Sequence, residues 1–412
     1  MTEPELNRRG RRKFLRWMLA SPLLAMPAAA QKYLVEELTA ADVLGLAREA
    51  LIEKPEDALT VFDFQRVAAN NLPPAHYSYV NHGAGDGSTM QANRDAINAV
   101  RLRLRRLMAI GRADTSVELF GETYSSPLFL CPVASQGSQH PLGERGAAMA
   151  AKKHNTAMAM STFASNPVEV LTEDRGQPIW YQLYTQSTWQ GTERLIRRVE
   201  AAGSHVMMLT VDTPSRLPSE FSVRMQRLDD RDCSSCHEMP IRGPQKKPMA
   251  QGLSEIDGER LTGAMLDWDA VERFRKLTSM KIVIKGIETA EDATLAREHG
   301  VDAVYVSNHG GRGIHASRGT LECLPEVVDT AGDLPVLVDS GFRRGSDIFK
   351  ALAMGATAVG IGRPYVWGLG AFGVDGVDRV IDMINAELRA TMVQAGAKTI
   401  ADISRNMVVT PS

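Results

Sequence analysis

Short apolar runs recur along the chain and alternate with longer segments of helical periodicity. Each run is rich in Val, Ile, Leu or Met and is bounded by turn residues. Continuous apolar runs of this length are typical of parallel strands that are buried on both faces. The eight runs are residues 127–134, 156–162, 178–184, 205–212, 281–286, 303–308, 335–340 and 358–363.

Helical patterns lie between these runs and give the chain a regular strand–helix alternation. Examples are residues 143–154, 192–202, 290–300 and 346–355. Eight such alternations predict an α/β fold of the closed (β/α)8 TIM barrel type.

Two segments fall outside the alternation. Residues 43–106 have a helical, polar-faced pattern and predict a helical extension ahead of the barrel. Residues 213–266 form a long, polar stretch with Pro and Gly after the fourth strand. Because loops at that end of a barrel strand lie over the site, we expect this stretch to be a lid.

The first 30 residues predict an export signal rather than part of the barrel. Residues 8–16 are basic, residues 17–26 are apolar, and residues 27–30 are mostly small. This order is typical of a signal peptide, and the paired arginines resemble a twin-arginine signal. A membrane anchor is the alternative, but the apolar run is short for a span. We expect residues 1–30 to be the signal, residues 31–412 the barrel domain, and the location periplasmic or exported.

The overall composition fits one large globular domain and does not favour a nucleic-acid partner. The chain has 412 residues, 47 Lys and Arg against 49 Asp and Glu, and a formal net charge of −2. A barrel of this type needs about 250 residues before insertions. A near-neutral chain lacks the basic excess that nucleic-acid binding usually requires.

Polar side chains gather where the predicted strands end, which in a (β/α)8 barrel is the edge that carries the chemistry. His309 can take a proton near neutral pH, Arg312 can bind a carboxylate through two hydrogen bonds, and Lys285 supplies a fixed positive charge. The polar strand-end residues are Ser161, Gln182, Tyr184, Thr210, Asp212, Lys285, His309, Arg312, Asp339, Gly362 and Arg363.

The last two strand ends predict a phosphate site. Asp339 is followed by Gly341 and Arg343, and the eighth run ends in Gly362 and Arg363. Glycines expose backbone N–H groups and arginines supply charge, so both motifs suit an anion. A phosphate beside Lys285 suggests a flat, phosphorylated cofactor.

A Cys-x-x-Cys-His motif lies inside the predicted lid, at Cys233, Cys236 and His237. This spacing is that of c-type haem attachment, so haem is one interpretation. A local disulfide or thiol pair is the interpretation we favour, because the lid has no room for a usual cytochrome domain. A metal site is the third, and it lacks an obvious fourth ligand.

Several motifs in the same order resemble the FMN-dependent 2-hydroxy-acid oxidase and dehydrogenase family, which includes glycolate oxidase, lactate oxidase, mandelate dehydrogenase and flavocytochrome b2. The resemblance runs from about residue 61 to residue 404. The family signature Ser-Asn-His-Gly-(Ala or Gly)-Arg-Gln matches here from Ser307 to Arg312. The other matching pieces are Tyr79 ahead of a Gly-Ala pair, Gln182-Leu183-Tyr184, Thr210-Val211-Asp212-Thr213-Pro214, Lys285-Gly286 and Gly341-Phe342-Arg343-Arg344-Gly345.

The resemblance implies a role for each matching residue. His309 would be the base, supported by Asp212, with Arg312 and Tyr79 holding the substrate carboxylate. Tyr184 would bond the substrate oxygen, and Lys285 would stabilise negative charge on the flavin. The remaining residues would contact FMN: Val133, Ala134, Ser161, Gln182 and Thr210 at the ring, Asp339 at the ribityl chain, and Gly341, Arg343, Gly362 and Arg363 at the phosphate.

The resemblance implies oxidation of a lactate-like L-2-hydroxy acid to the 2-oxo acid, with oxygen, a quinone or a cytochrome as electron acceptor. It also implies a homo-oligomer, since tetramers are common in the family. Two departures lie near the substrate: Ser219 replaces a usual arginine, and Gly313 replaces the glutamine of the signature. A larger or aryl hydroxy acid, or a modified peptide, is therefore an alternative substrate. A flavin electron-transfer protein without turnover is the alternative from another class.

Overall fold

The eight apolar runs form eight parallel strands that close into a barrel, as the alternation predicts. The computed structural model describes residues 51–215, 217–229, 247–253, 255–261 and 265–410. The strands are β1 Leu128–Leu130, β2 Ala157–Ser161, β3 Trp180–Leu183, β4 Val206–Thr210, β5 Lys281–Ile287, β6 Ala303–Val306, β7 Val336–Val338 and β8 Ala358–Ile361. Neighbouring strands pair in chain order, and β8 pairs with β1 to complete the barrel.

A helix follows each strand and packs outside the barrel. Several begin at a residue whose side chain accepts a backbone N–H of the first turn, as Thr188, Asp267 and Thr289 do for α3, α4 and α5. The eight helices are α1 Glu144–His154, α2 Val168–Arg175, α3 Trp189–Ala201, α4 Trp268–Leu277, α5 Ala290–Glu298, α6 Thr320–Ala331, α7 Gly345–Ala353 and α8 Arg363–Ala395. The last is kinked at Phe372 and Gly373, whose backbone angles are not helical.

The described part of the predicted extension contains three α-helices, Val61–Asn71, Pro74–Asn81 and Ser88–Ala99. The first begins with a capping box in which Thr60 and Asp63 satisfy each other's backbone N–H groups. Arg101 and Leu102 form a short strand and residues 103–106 are not helical, so the helical pattern predicted up to residue 106 ends earlier than expected.

The amino-terminal end of the barrel is closed by a short hairpin, Val117–Leu119 and Glu122–Tyr124. Its aromatic rings Phe120 and Tyr124 pack edge-on against Trp180 of β3, at centroid distances of 5.3 and 5.9 Å. Because aromatic side chains fill this end, polar chemistry is confined to the opposite, carboxyl end of the strands.

The predicted lid is described only in part. Near the start of the lid, residues Glu220–Gln226 form a helix. Ser219 caps it, because the Ser219 hydroxyl accepts the backbone N–H of Ser222. Backbone hydrogen bonds attach the approach to this helix to two other loops at the barrel mouth: Leu217 donates to Gly313, and Gly85 donates to Pro218. The start of the segment therefore lies over the carboxyl end, where the sequence predicts a lid. Among the described residues, no helix has the length and apolar character needed to cross a membrane.

Candidate active site

Tyr184, His309 and Asp212 form a hydrogen-bonded chain at the carboxyl end of the barrel. The Nδ1 of His309 lies 2.9 Å from Oδ1 of Asp212, and its Nε2 lies 3.4 Å from the Tyr184 hydroxyl. An ionised carboxylate can only accept, so Nδ1 carries the proton and donates it to Asp212. Nε2 of the neutral ring is then left as an acceptor facing the barrel mouth.

Lys285 binds the other oxygen of the same carboxylate. Its Nζ lies 3.2 Å from Oδ2 of Asp212 and donates to the Ser307 hydroxyl at 3.0 Å. Burial raises the pKa of Asp212, but the positive charge of Lys285 and the contact with His309 outweigh burial and hold it below the usual range. Burial lowers the pKa of Lys285, but Asp212 and Asp339 outweigh it and raise the pKa. Both groups are therefore charged at neutral pH.

The loop after β6, residues 307–312, fixes the direction of the imidazole ring. His309 has a positive φ of 59°, which is uncommon for a residue with a side chain. Its N–H is held by the Ser307 hydroxyl at 3.1 Å, and the side chain of Asn308 accepts the N–H of Gly311 at 3.0 Å. Strain of this kind is found where the surrounding structure holds a functional side chain in one direction. We refer to residues 307–312 as the β6 loop.

Arg312 and Tyr79 meet at the edge of the same site. A guanidinium N–H of Arg312 donates to the backbone carbonyl of Tyr79 at 2.5 Å, and the guanidinium carbon lies 5.0 Å from the centre of its ring. The helix Pro74–Asn81 thus brings Tyr79 beside the β6 loop. The two residues expected to hold a carboxylate lie together, and both are half-buried.

Three further predicted residues form a polar row across neighbouring strands. Ser161 donates to the side-chain oxygen of Gln182, and the amide of Gln182 donates to the Thr210 hydroxyl, each at 2.9 Å. All three are buried at the carboxyl ends of β2, β3 and β4. Val133 and Ala134 follow β1 and are half-buried at the same end. These side chains could contact one edge of a flat ring.

Arg343 after β7 and Arg363 after β8 form a positively charged region at the carboxyl end of the barrel. Arg343 and Arg363 donate to backbone carbonyls: Arg343 to Phe342, and Arg363 to Val80, His82 and Gly310. Burial, helped by Arg94, lowers the pKa of Arg343 to about 9. Burial, and then Arg343 and Arg312, also lower the pKa of Arg363. A bound anion would relieve this repulsion between neighbouring cations.

Glycines stand at the same two strand ends, and the one after β8 leaves room for an anion near the backbone. Gly341 has a φ of 97°, and a side chain on Gly362 would meet Val133 only at 3.6 Å. Asp339, directly after β7, accepts hydrogen bonds from Ser340 at 2.7 Å and from Tyr305 at 2.8 Å. The donor set of glycine backbone, buried arginine and a neighbouring carboxylate fits a ribityl phosphate, and the polar row fits a flat ring. These residues therefore fit FMN. We refer to residues 341–344 as the β7 loop.

The structure also accounts for the two departures from the family signature. The hydroxyl of Ser219 accepts a backbone N–H of the lid helix. A Cβ on Gly313 would lie 2.9 Å from the carbonyl oxygen of Asp212, so a side chain there needs a shift of the backbone. Neither position carries a long polar side chain toward the mouth. Arg216, three residues before Ser219, lies outside the described residues.

Sequence reasoning missed Glu288, which follows β5 three residues after Lys285. Burial, and then the charge of Asp212, raise its pKa to about 7. The Ser317 hydroxyl donates to it at 3.4 Å. The position of Glu288 directly after a strand is the sequence signal that could have identified it.

The motif of Cys233, Cys236 and His237 lies outside the described residues, so the disulfide, haem and metal interpretations stay predictions.

Comparisons with known proteins identify the family. The FMN-dependent dehydrogenase family matches residues 68–410. The chain is 37% identical to a peroxisomal (S)-2-hydroxyacid oxidase of Arabidopsis thaliana, over 86% of this chain and 97% of that protein. It is 31% identical to a mandelate oxidase of known structure, with a TM-score of 0.75 over 86% of this chain and 98% of that one. A flavocytochrome b2 structure has 28% identity and a TM-score of 0.76, over 90% and 92%.

The predicted periplasmic or exported location is wrong on the same comparisons. Three relatives, from Arabidopsis thaliana and Oryza sativa, carry names that place them in the peroxisome. The prediction rested on the order of basic, apolar and small residues within residues 1–30, and a short pattern of this kind is a weak indicator of location. Those residues lie outside the described part of the chain.

The barrel, the fit of its carboxyl end to FMN, and a match that covers most of the chain agree with one another. The chain therefore belongs to the FMN-dependent dehydrogenase family and is an oxidoreductase of its 2-hydroxy-acid oxidase group.

Proposed function

We propose that this protein oxidises a lactate-like L-2-hydroxy acid to the 2-oxo acid, with His309 as the base and Arg312 as the carboxylate clamp. The hydrogen-bonded chain of Tyr184, His309 and Asp212 is the observation that carries the proposal. It leaves one imidazole nitrogen as an acceptor at the barrel mouth and places an ionised carboxylate behind the ring.

In this proposal, Arg312 and Tyr79 bind the carboxylate of the substrate. A guanidinium binds a carboxylate through two parallel hydrogen bonds, which fixes the orientation of the acid as well as its position. The Tyr79 hydroxyl adds a third donor beside it. The Tyr184 hydroxyl donates to the oxygen on the reacting carbon, which is placed near Nε2 of His309.

In this proposal, His309 removes the proton of the substrate hydroxyl. Its Nε2 accepts the proton of the substrate hydroxyl, and the ionised Asp212 stabilises the positive ring that results. FMN, when bound, accepts the two electrons and the hydrogen that leave the substrate carbon. Lys285 holds a positive charge near the ring site and balances the negative charge that reduction creates there. Oxygen, a quinone or a cytochrome then takes the electrons.

A larger or aryl hydroxy acid is the second candidate substrate. The contacts at Ser219 and Gly313 support it, because neither position sends a long polar side chain toward the mouth. A panel of glycolate, L-lactate, long-chain acids and L-mandelate, assayed for the 2-oxo acid product, separates the two candidates. The first predicts the highest kcat/KM with L-lactate, and the second predicts it with mandelate or a long-chain acid. No 2-oxo acid from any member would overturn the proposed function.

We also propose that the protein is a homo-oligomer, up to a tetramer. Leu104 and Leu107 are 42% and 102% exposed and lie three residues apart, and exposed apolar groups of this kind often lie at an interface. Light scattering would give about four times the chain mass of 45.0 kDa for a tetramer. A particle of one chain mass would contradict the proposal.

A further inference from the structure

The helix Ser88–Ala99 packs against two site loops through glycines. A Cβ on Gly311 in the β6 loop would lie 2.6 Å from the backbone nitrogen of Met90. A Cβ on Gly341 in the β7 loop would lie 3.0 Å from Cβ of Asn93. The helix therefore touches both loops where they have no side chain, and two successive residues of the helix continue these contacts with side-chain bonds.

Asn93 is bonded to the β6 loop. Its amide nitrogen donates to the side-chain oxygen of Asn308 at 2.9 Å, and the amide nitrogen of Asn308 donates back at 2.8 Å. The same oxygen of Asn93 accepts the N–H of Thr320 at 3.0 Å. Asn93 and Asn308 are 1% and 5% exposed, so this paired amide contact is buried. Asn308 directly precedes His309.

Arg94 is bonded to the β7 loop. One guanidinium nitrogen donates to the carbonyl of Gly341 at 2.5 Å and to Oδ2 of Asp347 at 2.8 Å. That carboxylate oxygen also accepts the backbone N–H groups of Arg343 and Arg344, at 2.9 and 3.2 Å. The side chain of Asp347 is 4% exposed, so Arg94 pairs with a buried charge that organises the loop.

We infer that the helix Ser88–Ala99 positions the two loops separately: Asn93 sets the β6 loop for proton transfer, and Arg94 sets the β7 loop for phosphate binding. Each acts through the backbone of its loop and is a positioning residue. The inference rests on the proposed function for the β6 loop and on the FMN fit for the β7 loop. It adds that two neighbouring side chains outside the barrel control different properties of the site.

The test measures FMN affinity and turnover separately in two variants. Arg94→Gln removes the charged hydrogen bonds to the β7 loop, so we expect the Kd for FMN to rise about tenfold or more. Asn93→Ala leaves those bonds in place but frees the β6 loop, so we expect kcat at saturating FMN to fall about 10- to 100-fold. The Kd of Asn93→Ala should stay within a few fold of wild type. Flavin fluorescence on titration of apoprotein gives the Kd without any need for turnover.

Controls separate positioning from general loss of structure. Gln91→Ala, on the same helix, removes only an exposed bond to Asp95 and should leave both quantities unchanged. Arg94→Lys keeps a cation and should have an FMN affinity between those of Arg94→Gln and wild type. If Arg94→Gln unfolds, Arg94→Lys replaces it in the titration. The inference would be overturned if Asn93→Ala and Arg94→Gln changed the Kd for FMN and kcat equally, in proportion to their loss of melting temperature. It would also be overturned if neither variant changed either quantity. Wild-type protein that binds FMN but oxidises no hydroxy acid would instead remove the proposed function, and the Arg94 result would still stand.

Discussion

At the scale of single residues, Asp212 joins the buried cation Lys285 to the imidazole of His309, the proposed base. Its two oxygens bind Lys285 and His309 separately, at 3.2 and 2.9 Å. Because the carboxylate stays ionised, it fixes the ring tautomer in which Nε2 is the acceptor, as the proposed proton transfer from the substrate requires. An amide in its place cannot stabilise a positive ring.

We therefore expect Asp212→Asn to lower kcat by about 10²- to 10⁴-fold while FMN stays bound. Steady-state turnover and the ratio of bound flavin to protein are the measurements. Asp329→Asn, which changes a carboxylate that is 68% exposed at the surface, is the matched control and should behave as wild type. A kcat for Asp212→Asn within twofold of wild type would show that the carboxylate does not support the base.

The raised pKa of Glu288 predicts how the free energy of unfolding changes with pH. Its folded pKa of about 7 lies above its value in the unfolded chain, so between those two pKa values only the folded state binds the proton. The free energy of unfolding must therefore fall as pH rises through this window, and the Gln variant lacks this loss. We expect Glu288→Gln to gain stability relative to wild type between pH 5 and pH 8, by an amount that chemical denaturation measures at both pH values.

The exposed Glu291→Gln is the control for this experiment and should follow wild type at both pH values. A constant difference between Glu288→Gln and wild type across the window would show that the carboxyl group titrates normally in the folded protein.

Some residues could be assigned from the sequence and others could not. His309, Arg312, Lys285 and Asp212 stand at strand ends, so a strand pattern is enough to bring them together. Asn93 and Asn308 are 215 residues apart, and Asn93 lies on an outer helix with no pattern that marks it. Such a contact depends on how the helix packs against the barrel, which the sequence pattern does not specify.

At the scale of elements, the β7 loop shows how closely helix and loop must fit. Gly341 has a φ of 97° and faces the backbone and Cβ of Asn93. Alanine would require both a rare backbone conformation and an outward shift of the helix. We expect Gly341→Ala to lower the free energy of unfolding by about 1–3 kcal/mol and to weaken FMN binding.

Denaturant unfolding and fluorescence titration measure the two effects of Gly341→Ala. Gly111→Ala is a suitable control, because a Cβ there meets no atom within 4 Å. If Gly341→Ala and Gly111→Ala had the same stability and FMN affinity, the close packing would not constrain the loop.

Elements were predictable where they carry a continuous apolar run and were missed where they are too short or lack a single apolar stripe. The eight barrel strands follow from continuous apolar runs, although their paired lengths of three to seven residues are mostly shorter than the runs. The hairpin Val117–Leu119 and Glu122–Tyr124 has only three residues a strand, which is too few for a periodic signal. The helix Arg363–Ala395 is buried on many sides and kinked at Gly373, so it lacks a single apolar stripe.

At the scale of the whole molecule, the barrel separates stability from chemistry. Aromatic packing around Trp180 closes one end, and charged groups collect at the other. Because the carboxyl ends of all eight strands meet there, the residues proposed as base, carboxylate clamp and phosphate site come together from distant parts of the chain. We expect the loops over that end to decide which hydroxy acid is bound.

The most direct test of this account is an anaerobic absorption titration of FMN-loaded wild-type protein and His309→Gln with L-2-hydroxy acids. We predict that at least one acid bleaches the flavin bands of the wild type. We also predict that the same acid perturbs the bands of His309→Gln without bleaching them on the same time scale, because binding by Arg312 remains while the base is gone. Bleaching of the variant as fast as the wild type, or of neither by any acid, would contradict the account.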